Sequence, residues 1–165
     1  MKRSTMLIRL SGVCLGAICL ALAIGTPAQA QGVWEPQAPL LPSHGGPATG
    51  VIAGQLYEAG GNPTTVVDVY DPVLNTWSTR APIPTIRGAA SAGVIDGKLY
   101  VAGGCINGNC GGATNILEVY DSANNTWTTK APMPTARAGM ATGVIAGKLY
   151  VAGGFTSCGA CLGIT

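Results

Sequence analysis

Few side chains in this 165-residue sequence are suited to covalent chemistry, and their spacing narrows the choice further. There is one histidine, His44, so neither an HExxH metal motif nor a pair of imidazole ligands exists. No serine–histidine–acid arrangement is present. The carboxylates Glu58, Asp68, Asp71, Asp96, Glu118 and Asp121 are scattered or sit at turn positions, with no close-set pair for acid–base work. Four cysteines form two short clusters, Cys105 with Cys110 and Cys158 with Cys161, each after a Gly-Gly doublet. In an oxidising compartment they are disulfide candidates, and a zinc site built from all four thiolates is the sharper alternative. A redox role for Cys158-Gly159-Ala160-Cys161 lacks the strand–helix–strand unit that such motifs occupy. Arg87 and Arg137 each end a Pro-x-Pro-Thr-x-Arg phrase. No catalytic residue, cofactor or metal centre is expected.

The elements that position these residues begin after an export signal. Lys2, Arg3 and Arg9 make a basic start, Leu10 to Gly25 is almost uncharged and apolar, and Ala28-Gln29-Ala30 is a small-x-small cleavage pattern. Residues 1–30 are therefore expected to be a signal peptide cleaved after Ala30, leaving no stable membrane anchor, since the apolar run is shorter than the roughly 20 residues a spanning helix needs. The expected localisation is secreted or periplasmic, and disulfides follow from it. A local Cys105–Cys110 bridge would contribute about 2 kcal/mol and a Cys110–Cys158 bridge about 4 kcal/mol in the chain-entropy model. The self-contained segment between Cys105 and Cys110 favours local pairs. Without Lys2, Arg3 and Arg9 the chain keeps six basic residues against seven acidic ones, so no basic stripe is available for nucleic acid.

Beyond the signal the sequence repeats itself. GVIDGKLYVAGG at 93–104 returns as GVIAGKLYVAGG at 143–154, and a looser copy, GVIAGQLYEAGG, occupies 50–61. The copies are 43 and then 50 residues apart, and the difference falls in one loop, 105–114. A second phrase links them, VYDPVLNTWSTRAPIPTIR at 69–87 and VYDSANNTWTTKAPMPTAR at 119–137. Each unit reads as four short strands separated by turns, and KLYVA is apolar on both alternating faces, as a strand covered on both sides must be. Four-stranded sheets stacked face to face around an axis satisfy this pattern, an all-β propeller.

A Gly-Gly doublet closing a strand, then Tyr-Asp, then a Trp six residues after the Asp, at a period near fifty, resembles the kelch repeat. The doublets are Gly60-Gly61, Gly103-Gly104 and Gly153-Gly154; the aromatic positions are Tyr70, Tyr120, Trp77 and Trp127. Doublet glycines can take φ > 0 and admit a neighbouring backbone, and the aromatics suit wedging between sheets. The resemblance implies a kelch-type β-propeller of an exported, bacterial kind. Two complete four-stranded blades are expected, about 44–80 and 87–130, then a half blade at 137–154 and a Cys- and Gly-rich tail at 155–165. An offset of 93 residues aligns Trp34 with Trp127 and His44 with Arg137, so an outermost strand of another blade is expected from Trp34.

Such a set would leave flat apolar faces and an open strand edge in water. The expectation is thus a truncated piece of a larger propeller; self-association of several copies is the rival. In kelch proteins the face bearing these loops often carries the ligand, so Arg87, Arg137 and His44 are candidate ligand-binding residues. A role in bonding to carbonyls of the following blade competes for both arginines. The functional expectation is an exported binding module for a protein or glycan ligand. The alternative is a fragment of a carbohydrate-active kelch enzyme, galactose-oxidase-like or sialic-acid-mutarotase-like. One histidine argues against a resident copper site, and no motif decides on the mutarotase.

Overall fold

The computed structural model describes residues 34–61, 64–106 and 112–156. The expected signal peptide, the inner part of the 105–114 loop with Cys110, and the tail with Cys158 and Cys161 lie outside the described residues. By contacts the chain divides into Met1–Glu35 and Pro36–Thr165. Of the first unit only Trp34 and Glu35 are described; neither lies in a strand, and Trp34 is 98% exposed.

The second unit is all-β, with no helix among the described residues. Strands β1 (Ala48–Ile52), β2 (Gln55–Ala59), β3 (Val67–Asp71) and β4 (Thr76–Arg80) form one antiparallel sheet in sequence order. Strands β5 (Ser91–Ile95), β6 (Lys98–Ala102), β7 (Leu117–Asp121) and β8 (Thr126–Lys130) repeat it. Strands β9 (Ala141–Ile145) and β10 (Lys148–Ala152) pair as a two-stranded sheet. These are two complete blades and the inner half of a third. The first strands of successive units pack on one another, β1 on β5 and β5 on β9.

The alternating apolar residues bury both faces of the inner strands. Leu99, Val101, Val67, Val69 and Tyr120 are at most 1% exposed and form one core with Ala48, Tyr57 and Ile83. Tyr57 of the first blade meets Tyr120 of the second at 5.9 Å between ring centroids, so the aromatics bridge the sheets. At the outer edge a latch recurs. Trp127 Nε1–H donates to the Ala81 carbonyl at 2.8 Å while Ala81 N–H donates to Asn125 Oδ1, and Tyr120 O–H donates to the same oxygen. Ahead of β1 the described residues hold no strand, since no partner strand of another blade lies among them. The segment from Trp34 contributes its end alone: Trp77 Nε1–H donates to Ala38, and Ala38 N–H to Asn75 Oδ1, as Ala81 does one blade on.

Each unit turns from its first strand to its second through two residues, Ala53-Gly54, Asp96-Gly97 and Ala146-Gly147, all with positive φ. This is the turn geometry that suits the twist of a hairpin, and it prefers Asn or Asp before Gly. Asp96 meets that preference; Ala53 and Ala146, at φ 50° and 49°, do not. An alanine held there costs about 1–2 kcal/mol relative to right-handed backbone. Replacing Ala53 and Ala146 by Asn is expected to stabilise the fold by about 1 kcal/mol per site, read as a higher urea midpoint at unchanged slope.

Candidate functional site

The loop between one blade's last strand and the next blade's first carries a basic residue four positions before that first strand: His44 before β1, Arg87 before β5, Arg137 before β9. Arg87 is 1% exposed. Its Nη1 donates to the carbonyls of Gly103 and Ile116 at 3.0 and 2.9 Å. Its Nη2 donates to the Glu118 carboxylate at 2.5 Å and to the Val101 carbonyl at 3.4 Å. Glu118, on β7, is 2% exposed, and its other oxygen accepts from Thr85 Oγ1 at 2.9 Å. Burial pushes the Arg87 guanidinium below its ordinary pKa, and the adjoining carboxylate pulls it back up. A charge this enclosed is stable only when paired and hydrogen-bonded. Only its Nε–H, buried like the rest of the side chain, has no hydrogen-bond partner. Enclosed in this way, Arg87 is out of a ligand's reach and fastens its loop to the ends of β6 and β7.

The same loop faces the neighbouring blade through its backbone. The Arg87 carbonyl accepts from Gly61 N–H at 3.1 Å, and the Arg137 carbonyl from Gly104 N–H at 2.9 Å. A Cβ at Gly103, whose φ is +60°, would lie 2.3 Å from the Arg137 oxygen. At Gly60, Gly103 and Gly154 a carbonyl oxygen occupies the space a side chain would take, whereas Gly153 has nothing within 4 Å.

The first blade departs from the second at this place. His44 stands where Arg87 stands, Asp68 of β3 where Glu118 stands, and Pro42 where Thr85 stands. Each replacement is shorter or lacks a donor. His44 Nδ1 lies 3.7 Å from Asp68 Oδ2, beyond hydrogen-bond reach, with the two side chains 7% and 11% exposed. That Nδ1 is buried with no hydrogen-bond partner. A cleft of about 410 Å³ opens beside it, lined by Leu41, Pro42, Ser43, His44, Thr64, Val66, Asp68 and Thr79. Glu58 pairs directly with Asp68 across β2 and β3. Burial raises its pKa above the usual carboxylate value, with His44 lowering it and Asp68 raising it further.

The three candidate ligand-binding residues thus occupy equivalent positions in different settings. Arg87 is interior and His44 borders the cleft. Arg137, partly exposed, donates from Nη1 to the Gly153 carbonyl at 2.9 Å and from Nε to Thr135 at 2.9 Å. Cys105 is buried and bridges Gly88 and Ala113 through its backbone. No group of three or more His, Cys, Asp or Glu among the described residues could hold a metal ion. In the sequence the acidic partners Asp68 and Glu118 read as scattered charges. Their signal is present, because each is an acidic second residue set between apolar neighbours in a repeated strand (VDVYD and LEVYD).

Arg87→Met leaves Glu118 buried without its cation and is expected to cost about 3–5 kcal/mol in urea unfolding. The double change Arg87→Met with Glu118→Leu is expected to recover most of that loss, because the apolar pair leaves no orphaned charge. Equal losses in the single and double variants would show that the two side chains are not coupled.

Comparison with known proteins agrees with this architecture. The family model described as Kelch motif matches residues 86–134. The solved structure of YjhT is similar to 74% of this chain and 36% of its own, at 27% identity and a TM-score of 0.65. The chain thus spans little more than a third of the length of that protein. No curated protein matches it. In repeat, strand order and likeness to solved propellers, the chain is a kelch-repeat β-propeller protein.

Proposed function

We propose that the chain is an exported binding module that takes a protein or glycan ligand at the cleft beside His44. The observation that carries this reading is the composition of the cleft. Hydroxyls from Ser43, Thr64 and Thr79 and the Asp68 carboxylate are set against Leu41, Pro42 and Val66. Concave sites with an apolar lining and a few convergent polar groups are where ligands are usually held. Kelch propellers serve as interaction modules or as enzymes, and the described residues of this site supply recognition groups rather than a positioned nucleophile and base.

Thr79 is exposed and lines the cleft, so a large side chain there fills it without disturbing the core. Ligands selected on the untagged full chain from glycan and peptide arrays are expected to bind Thr79→Trp at least about tenfold more weakly, the effect of losing one good polar contact. Undiminished binding by that variant would place the ligand elsewhere.

The third unit supports self-association as part of the same reading. Ile145 and Tyr150 on β9 and β10 are 62% and 51% exposed, whereas Ile52 and Tyr57 at the equivalent positions of the first blade are 6% and 5% exposed. Light scattering on the full chain is expected to give a mass that rises with concentration. Replacing Ile145 and Tyr150 by Lys is expected to return it to the monomer value; a monomer at all concentrations would exclude this partner.

A further inference from the structure

The local charge of the two complete blades differs at equivalent positions. In the second blade Arg87 faces Glu118, with Val101 beside them, and the formal charges cancel. In the first blade those positions hold His44, Asp68 and Glu58, two acidic residues against a histidine counted neutral. Asp68 and Glu58 are moreover direct cross-strand partners, where like charges destabilise. The donors are missing as well. Arg87 makes four bonds through Nη1 and Nη2 and Thr85 a fifth, leaving Nε alone unpartnered, whereas proline at position 42 has no side-chain donor and the buried His44 Nδ1 makes no bond. The cleft opens at the place where these groups have been shortened.

We propose that this cleft binds an organic cation of the guanidinium or alkylammonium class. Its N–H groups donate to Asp68 and to His44 Nδ1, and Glu58 adds negative charge from the neighbouring strand. This rests on the cleft being the ligand site and names the chemistry that it selects. The bound cation does for the first blade what the Arg87 side chain does for the second. The 3.7 Å between His44 Nδ1 and Asp68 Oδ2 is too long for a direct bond, yet close enough for one donor group to serve both. Guanidinium is weakly hydrated for an ion and stacks readily on apolar surface, and the methylenes of a longer cation find Leu41, Pro42 and Val66. A neutral polyol would leave the excess negative charge uncompensated. An anion would add to it.

The single histidine makes the test direct, because the His44 imidazole protons are the only ones of their kind in an untagged full chain. Titration with methylguanidinium or butylammonium is expected to shift these NMR signals saturably in the millimolar range. Sodium chloride at equal ionic strength and methyl glucoside are expected not to. Asp68→Asn is expected to weaken the effect by about tenfold, the scale of one charge-assisted bond. Should that variant not fold, Thr79→Trp must abolish the shift. His44→Arg supplies the guanidinium internally, so it is expected to raise the thermal midpoint and to abolish the stabilisation by added methylguanidinium. A Gly-Arg-Gly peptide binding more tightly than methylguanidinium assigns the cation to a protein partner; equal binding assigns it to a small molecule. A cation response no different from that to sodium chloride overturns the proposal. If methyl glucoside alone saturates, the cleft remains a ligand site of another class. If neither these probes nor array ligands respond to Thr79→Trp, both readings fall.

Discussion

Face-to-face stacking of sheets is the constraint on which this molecule depends, and it is met by leaving space at the middle of each blade's first strand. A Cβ at Gly50 would lie 2.5 Å from Leu99 and 2.7 Å from Val94 of the next blade; one at Gly93 would lie 2.6 Å from Leu149 and 2.9 Å from Val144. Such contacts are closer than packed atoms tolerate, so glycine lets a leucine and a valine seat directly on the backbone. The burial of Leu99 follows, and with it the continuous core that neither sheet could form alone. At the third unit the equivalent Gly143 has nothing within 4 Å, and the apolar residues beside it are exposed.

Stacking fixes where the loops meet, and the loops then need their own polar closure. The chain crosses from one blade to the next while its carbonyls accept from the Gly-Gly doublets, which leaves a basic side chain pointing back into its own blade. In the second blade that side chain is long enough to reach two strand ends and a carboxylate. In the first it stops short, and the shortfall is the cleft. Structural closure and an open cleft are two outcomes of one position, decided by side-chain length and donor count.

Much of the fold was legible in the sequence because the repeat states it three times. The strands of KLYVA and VYD, the turns between them and the covered faces all follow from periodicity and turn residues. The site was less legible. Arg87, Arg137 and His44 align, so their equivalence is readable, but whether a side chain at that place faces solvent depends on strand ends brought together only by folding. Arg87 reads as a surface arginine until Gly103, Ile116 and Glu118 converge on it. Asp68 and Glu118 were obscured for the same reason: an acid among apolar neighbours in a strand declares itself only when the loop side chain that folds onto it is known.

The differences around His44 also bear on how much a repeat protein can vary from one copy to the next. A tandem copy carries its own template beside it, so one blade can lose a stabilising contact while its neighbour keeps the shared scaffold upright. Shorter side chains at the equivalent positions of a single copy then leave a cleft where the neighbouring copy has an internal fastening. A repeat therefore tolerates divergence in one copy at the place where the next copy holds the fold together.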